Sequence, residues 1–234
     1  MALATGTARP SAVRTLWAST LGKKAVMAGT GVIMLLFLVV HMLGNLKIFF
    51  GAAEFNSYAG WLRTIGEPVL HNSWYLWVQR FVLVVCVVLH AITAYQLSRR
   101  DRAARPQRYQ HRPPARASYA THTMRWGGVI LGLFIIWHIL DLTTLTVNPL
   151  GQAHHPYENV VADFRVWWVN IIYIVAMLAL GLHIRHGFWS AAQTIGANNR
   201  GRDRSLKVVA NVLAVALTAG FIVVPVAVMT GVVS

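Results

Sequence analysis

The chain has 234 residues, of which 56% are hydrophobic and only 12% are charged. This composition excludes a soluble globular domain, and its long segments almost without charge exclude a disordered chain or a coiled coil. The single cysteine, Cys86, excludes an internal disulfide, a four-thiolate zinc site and a self-contained iron–sulfur cluster. Any redox centre in this chain must therefore use other ligands.

Five apolar segments are each long enough to cross a bilayer as a helix. They are continuously apolar and do not alternate with polar residues, which disfavours a transmembrane β-barrel. We therefore predict an all-α integral membrane protein, one transmembrane domain over residues 1–234 folded as a five-helix bundle. The predicted elements are a cytoplasmic arm at 1–24 and spans at about 25–50, 74–97, 124–147, 166–189 and 208–233.

The distribution of charge predicts how the bundle is oriented. Of the 21 Lys and Arg residues, 17 lie in residues 9–24, 99–125 and 185–207, three segments that share one side of a five-span bundle. Basic residues near the ends of spans stay in the cytoplasm, so the N-terminus is predicted inside and the C-terminus on the outer side of the cell membrane. The predicted outer side holds five of the seven acids, namely Glu54, Glu67, Asp141, Glu158 and Asp163.

The net charge of +14 raises the question of nucleic-acid binding. The arginines lie beside the predicted spans, where membrane topology and attraction to anionic lipid explain them, so we expect lipid contact and no nucleic acid. A cytoplasmic protein partner that docks on the same arginines is compatible with this interpretation.

Histidine is the residue type that stands out inside the spans, because an ionisable or metal-binding side chain in lipid is costly. A rise of 1.5 Å per residue puts His41 about 25 Å and His90 about 13 Å from the inner boundary. The same rise puts His138 about 15 Å and His183 about 27 Å from the outer boundary. His41 and His138 therefore share an outer level, and His90 and His183 share an inner level, about 12 Å apart.

Two imidazoles facing each other at one level provide the axial ligands of a six-coordinate haem iron, so two levels predict two haems. A catalytic zinc is disfavoured because it needs three ligands at one depth. The alternative is a haem-free anchor or transporter whose histidines join helices or carry protons. Glycines near these levels either leave room for a macrocycle or pack helices closely: Gly29, Gly31, Gly127, Gly128, Gly132 and Gly181.

Three segments carry a resemblance to a known family: Thr30–Phe49, Asn148–Phe164 and His183–Gly196. With them the chain resembles the five-helix, dihaem membrane anchor of succinate:quinone oxidoreductases and fumarate reductases. The resemblance implies that His41 and His138 bind the iron of an outer haem b, and that His90 and His183 bind the iron of an inner haem b. His186, three residues after His183, is the second choice for that ligand.

The resemblance also implies the function and the partners. The chain is expected to be the cytochrome b subunit of succinate dehydrogenase, respiratory complex II, and to pass electrons to menaquinone or another quinone. Flavoprotein and iron–sulfur subunits are expected on its cytoplasmic face, because the chain lacks an FAD fingerprint and enough cysteines. Family likeness suggests Glu67 as the quinone carboxylate, beside His71 and Trp74. A dihaem anchor of a hydrogenase or nitrate reductase, fumarate reduction instead of succinate oxidation, and a higher oligomer all remain open.

Overall fold

The computed structural model describes residues 12–104 and 115–234, and within them it contains eight α-helices and no strand. Five helices are long and apolar enough to cross a membrane, which confirms the predicted all-α bundle with five spans. The helices are α1 (Ala12–Ala18), α2 (Thr20–Leu46), α3 (Ala52–Thr64), α4 (Trp74–Ala103), α5 (Ala115–Leu142), α6 (Pro156–Phe164), α7 (Trp167–Thr194) and α8 (Asp203–Met229). The spans are α2 with the short turn Lys47–Phe50, then α4, the part of α5 from Thr123, α7 and α8.

The predicted cytoplasmic arm is partly helical. Its residues 12–24 form α1 and the first turn of α2, while residues 1–11 lie outside the described residues. Ser19 caps α2, because its Oγ accepts a hydrogen bond of 2.8 Å from the backbone N–H of Gly22. Lys23 is buried against α4, where its Nζ donates to the amide oxygen of Gln96 and lies 4.6 Å from the ring centre of Trp17. These contacts explain why α2 begins five residues earlier than predicted.

The third span ends at Leu142, five residues before its predicted end at 147. The backbone turns back at this point, since the N–H of Thr146 donates to the carbonyl of Leu140 over 2.9 Å. Leu145 adopts a left-handed conformation with φ of 59°, which a continuing right-handed helix does not allow. The end at 147 was predicted from apolar composition alone. The apolar residues after Leu142 belong to this turn and not to the helix.

Helices α2 and α7 are central to the packing. Helix α7 packs against α8, α5 and α2, and α2 packs against α4, whereas the described residues of α4 and α5 pack little against each other. The α7–α8 contact is close because Gly181 has no side chain; a Cβ there would lie 2.3 Å from Oγ1 of Thr218. The core between these two helices is formed by Ala176, Met177, Leu180, Ile184, Ala214 and Leu217.

The surface of the bundle is apolar. Leu36, Phe81, Leu133 and Val215, on four different helices, are each more than 60% exposed. Apolar surface of this extent is stable in lipid and not in water. The chain is therefore a multi-pass membrane protein.

The two ends of the bundle differ in composition. At the arginine-rich end, the guanidinium of Arg100 donates to the carbonyl of Ala18 over 3.0 Å, which joins the end of α4 to α1. There too the indole N–H of Trp189 donates to Asp203 over 3.0 Å, so the end of α7 meets the start of α8. The opposite end holds α3, α6 and the chain's last residue. That the arginine-rich end faces the cytoplasm stays a prediction.

Candidate paired-histidine site

The four histidines singled out by depth form two pairs. The ring centres of His41 on α2 and His138 on α5 are 5.9 Å apart. The ring centres of His90 on α4 and His183 on α7 are 6.1 Å apart. The structure therefore brings together the same two pairs that helical rise predicted, with one imidazole from each of four helices.

The pairs lie at different levels of the bundle. His90 faces the first half of α2, where a Cβ on Gly31 would be 3.5 Å from its Cε1 atom. His41 is ten residues further along the same helix, which is about 15 Å at 1.5 Å per residue. The His90–His183 pair is therefore nearer the arginine-rich end and the His41–His138 pair nearer the opposite end.

In the pair nearer the arginine-rich end, Nδ1 of His90 donates to the backbone carbonyl of Met27 over 3.0 Å. A carbonyl only accepts, so the proton is on Nδ1, and Nε2 keeps the lone pair that a metal ligand needs. Nδ1 of His183 is buried and has no hydrogen-bond partner among the described residues. Beside this ring, a Cβ on Gly128 would lie 3.9 Å from Cε1 of His183.

In the other pair, Nδ1 of His138 lies 3.2 Å from the phenol oxygen of Tyr173. The same phenol donates its only proton to Oδ2 of Asp141 over 2.7 Å. Since that proton goes to Asp141, the phenol oxygen accepts from the Nδ1–H of His138. The Nε2 atom of His138 is again left with its lone pair.

Aromatic rings enclose the second pair. Phe37 stacks on His41 with ring centres 5.1 Å apart, and Phe134 stacks on His138 at 5.7 Å. Phe221 from α8 lies 5.9 Å from His41. The two imidazoles therefore lie among aromatic side chains from α2, α5 and α8.

These residues fit two haem groups held by paired histidines. An imidazole nitrogen binds a first-row metal ion at about 2 Å, so two rings on opposite sides of one ion have centres about 6 Å apart. Both measured separations agree with this value. Within the described residues no group of three or more His, Cys, Asp or Glu side chains could hold a metal ion, so the donor set is pairs only.

The other predicted residues lie elsewhere. His186 is one turn beyond His183 on α7, and it is the ring of His183 that faces His90. Glu67, His71 and Trp74 lie together in the exposed connection from α3 to α4: the amide of Asn72 donates to Glu67 over 3.3 Å, and the rings of His71 and Trp74 are 5.9 Å apart. A surface cavity of about 430 Å³ is separate from them and is lined by Lys47, Glu54, Ser57, Tyr58 and Trp61.

The predicted glycines divide into three kinds. Gly31 and Gly128 face the imidazoles, whereas Gly181 packs against Thr218 and Gly127 against a backbone carbonyl of α7. Gly29 and Gly132 have open space around them, since a Cβ at either would meet nothing within 4 Å.

Two acidic residues beside His138 were not predicted as part of the site. Asp141 and Asp163 were counted only among the charges of the outer side, and in the structure both are buried, Asp141 at 0% and Asp163 at 1% exposed. Asp141 gave a usable signal, because it lies inside a predicted span, three residues after His138 on the same face of the helix. Asp163 precedes a span and gave no comparable signal.

More than half of the chain matches a known family of membrane subunits. The profile of the family described as "Succinate dehydrogenase/Fumarate reductase transmembrane subunit" matches residues 96–221, more than half of the chain. The matched region contains His138 and His183, and it begins after His41 and His90. No curated protein and no solved structure matches the chain.

Proposed function

Because the chain belongs to the family of succinate dehydrogenase and fumarate reductase transmembrane subunits, we propose that it is the cytochrome b anchor of a succinate:quinone oxidoreductase, respiratory complex II. In this proposal it holds two haem b groups and connects an iron–sulfur subunit, which carries the flavoprotein, to menaquinone. The observation that supports it most is the pairing of four histidines from four helices at two levels.

Each pair has the chemistry that haem ligation requires. Haem b, when bound, supplies a one-electron redox couple that the protein tunes through its axial ligands and their hydrogen bonds. Met27 fixes the ring of His90, and Tyr173 fixes the ring of His138. With Nδ1 of each ring engaged in a hydrogen bond, Nε2 is the nitrogen that would bind the metal.

The partners are proposed from the distribution of charge. The connection from α7 to α8 and the end of α4 present Arg99, Arg100, Arg102, Arg200 and Arg202, all exposed, at one end of the bundle. A soluble iron–sulfur subunit that docks there stands nearest the His90–His183 pair. A haem held by this pair would be the first to receive electrons from that subunit.

The quinone site is proposed on the α3–α4 connection. Reduction of a quinone consumes two protons, so a carboxylate or imidazole is needed beside it. Glu67, His71 and Trp74 offer an acid, a base and an aromatic surface in one exposed segment. These three residues are the proposed quinone contacts.

The test is the pigment content of membranes that contain the intact complex. A reduced-minus-oxidised spectrum with a b-type α band, and two haems per chain by extraction, are expected. Single variants His41→Ala, His90→Ala, His138→Ala and His183→Ala should each lose one of the two haems. His186→Ala is the matched control, since it removes a neighbouring half-buried imidazole of α7 and should keep both.

Double variants test the pairing itself. His41→Ala with His138→Ala removes both ligands of one proposed site and should still leave one haem. His41→Ala with His90→Ala removes one ligand from each site and should leave none. Equal losses in the two double variants contradict the pairing.

The haem-free alternative is favoured by the hydrogen bonds from His90 on α4 to Met27 on α2 and from His138 on α5 to Tyr173 on α7, each of which joins two helices. A bond of this kind stabilises a bundle with or without a cofactor. Membranes without a b-type band that still contain the folded chain would favour this alternative.

A further inference from the structure

Two carboxyl groups are buried side by side near the opposite end of the bundle. Asp141 of α5 and Asp163 of α6 are within hydrogen-bonding reach of each other. Asp141 accepts from the amide of Asn148 over 3.2 Å and from the phenol of Tyr173 over 2.7 Å. Oδ2 of Asp163 is buried and receives no hydrogen bond from the described residues.

Two adjacent buried carboxylates cannot both be ionised without a large cost. Burial, and secondly the neighbouring Asp141, raises the pKa of Asp163 to about 8 from an ordinary value of 3.8. Asp141 accepts two hydrogen bonds, whereas Asp163 has an oxygen that accepts none from the described residues. The proton therefore belongs to Asp163, whose acid O–H donates to Asp141.

Few other charged groups act on this pair. Helix α7 contributes Tyr173 and α5 contributes Asp141, while Val224, Ala227 and Val228 of α8 belong to the apolar core that also contains Tyr173. On the α3 side of α6, Asn56 donates to Glu158 over 3.1 Å. Glu158, Arg165 and Ser234 line a separate surface cavity. The charge of an ionised Asp163 thus interacts mainly with Asp141 and Tyr173.

The pair is the end of a continuous chain of hydrogen bonds. A protonated Asp163 donates to Asp141, Asp141 accepts from Tyr173, and Tyr173 accepts from Nδ1 of His138. A stronger acceptor at the far end draws the Nδ1 proton of His138 away from the ring, which makes Nε2 a stronger donor to a metal. A negative charge on Asp163 therefore affects the imidazole of His138 through these hydrogen bonds, without direct contact.

We propose that Asp141 and Asp163 are positioning residues that hold one proton between them, and that its release strengthens His138 as a haem ligand through Tyr173. This inference rests on the proposed function. Ionisation of Asp163 leaves a negative pair, which strengthens the pull on His138, favours ferric iron and lowers the midpoint potential of this haem. The pair would in turn take up a proton more readily if a haem held by His138 were reduced. At the His90–His183 site, the acceptor for the Nδ1–H of His90 is the backbone carbonyl of Met27, and a carbonyl does not titrate.

The experiment is a redox titration of both haems in the purified complex, followed in the α band, at pH values on either side of about 8. In the wild type, the reduced-to-oxidised ratio of the haem near His138 at fixed potential should fall by up to about tenfold per pH unit. The other haem should change little. Asp163→Asn keeps a neutral donor to Asp141 and should flatten the response, whereas Asp163→Glu restores a titrating acid and should recover part of it.

Glu158→Gln is the control, because it removes an acid from the same helix α6 outside the chain of hydrogen bonds. Its pH response should equal that of the wild type. If the reduced-to-oxidised ratio in Asp163→Asn depends on pH as steeply as in the wild type, the inference is overturned. The proposed function stands in that case, because both haems are still present. Absence of haem from the wild type overturns the proposed function instead.

A second measurement keeps the inference testable if Asp163→Asn does not assemble. Infrared spectra of the wild-type chain in membranes should show the carbonyl band of a buried protonated carboxylic acid at neutral pH, and this band should disappear as pH rises through about 8. Tyr173→Phe, which keeps both acids and cuts the chain of hydrogen bonds, should retain the infrared band and lose the pH response of the haem. Absence of the band, or an unchanged haem response in Tyr173→Phe, overturns the inference.

Discussion

The phenol oxygen of Tyr173 lies 3.2 Å from Nδ1 of His138 while its proton is donated to Asp141. Tyr173→Phe keeps the ring packed against Phe134 and Phe164 and removes only these two hydrogen bonds. Leaving a buried acceptor without its donor costs about 1–3 kcal/mol, so the thermal midpoint of the purified complex should fall. The midpoint potential of the haem held by His138 should rise, because without this hydrogen bond the imidazole is a weaker electron-pair donor to the iron.

Tyr157→Phe is the control for this change. Its hydroxyl donates to the backbone oxygen of Ser234 over 3.2 Å at an exposed position, so its loss should cost little. Equal effects of the two variants on stability, or an unchanged potential in Tyr173→Phe, would contradict the role given to Tyr173.

Gly31 is predicted to keep space beside His90. A Cβ at this position lies 3.5 Å from the imidazole, so the branched side chain in Gly31→Leu has to enter the space next to the ring. The expected result is loss of the haem near the arginine-rich end, measured as the haem content of membranes. Gly29→Leu, two residues away where nothing lies within 4 Å, should keep both haems. A full complement of haem in Gly31→Leu would contradict the assignment.

Hydropathy was sufficient to predict the five spans. The rise per residue was sufficient to predict the two histidine pairs, because it gives the depth of each histidine and each pair takes one histidine from each of two helices. The same rules failed at the third span, where Leu145 and its neighbours form a turn that apolar composition does not reveal. They also failed for Asp163, whose burial depends on how α6 folds back onto α5 and α7. Contacts of this kind arise from tertiary packing and leave no periodic pattern in the sequence.

Gly181 is predicted to be essential for the close contact of α7 and α8. In Gly181→Ala the new Cβ would lie 2.3 Å from Oγ1 of Thr218 and 3.6 Å from a backbone carbonyl of α8, so either Thr218 changes rotamer or the helices move apart. The cost of such overpacking is about 1–3 kcal/mol, visible as a lower thermal midpoint. Gly187→Ala is the control on the same helix, where nothing lies within 4 Å, and helix propensity makes it neutral or slightly stabilising. A midpoint of Gly181→Ala at or above that of Gly187→Ala would count against this packing.

The raised pKa of Asp163 predicts how stability depends on pH. Burial, and then Asp141, shift this pKa from 3.8 to about 8, so the folded chain binds a proton that the unfolded chain has lost over this interval. The stabilisation linked to this proton is complete below pH 3.8 and decreases as pH rises to about 8. The thermal midpoint, measured across this range, should therefore decrease with pH more steeply in the wild type than in Asp163→Asn. Parallel curves for the two proteins would show that Asp163 ionises normally.

Two carboxylates at the opposite end compete for the role of quinone acid, and the structure separates them. Glu67 lies in the exposed α3–α4 connection, bonded to Asn72, whereas Glu54 lines the cavity of about 430 Å³ with Lys47 and Tyr58. If the proposed quinone contacts are right, Glu67→Gln removes the proton donor, and succinate-driven menaquinone reduction should fall by at least tenfold while haem content and haem reduction by succinate persist. Glu54→Gln should leave that rate within about twofold, because it changes an acid outside the proposed site. The reverse pattern would indicate that the quinone binds instead at the surface cavity, which is lined by an acid, a lysine and two aromatic rings.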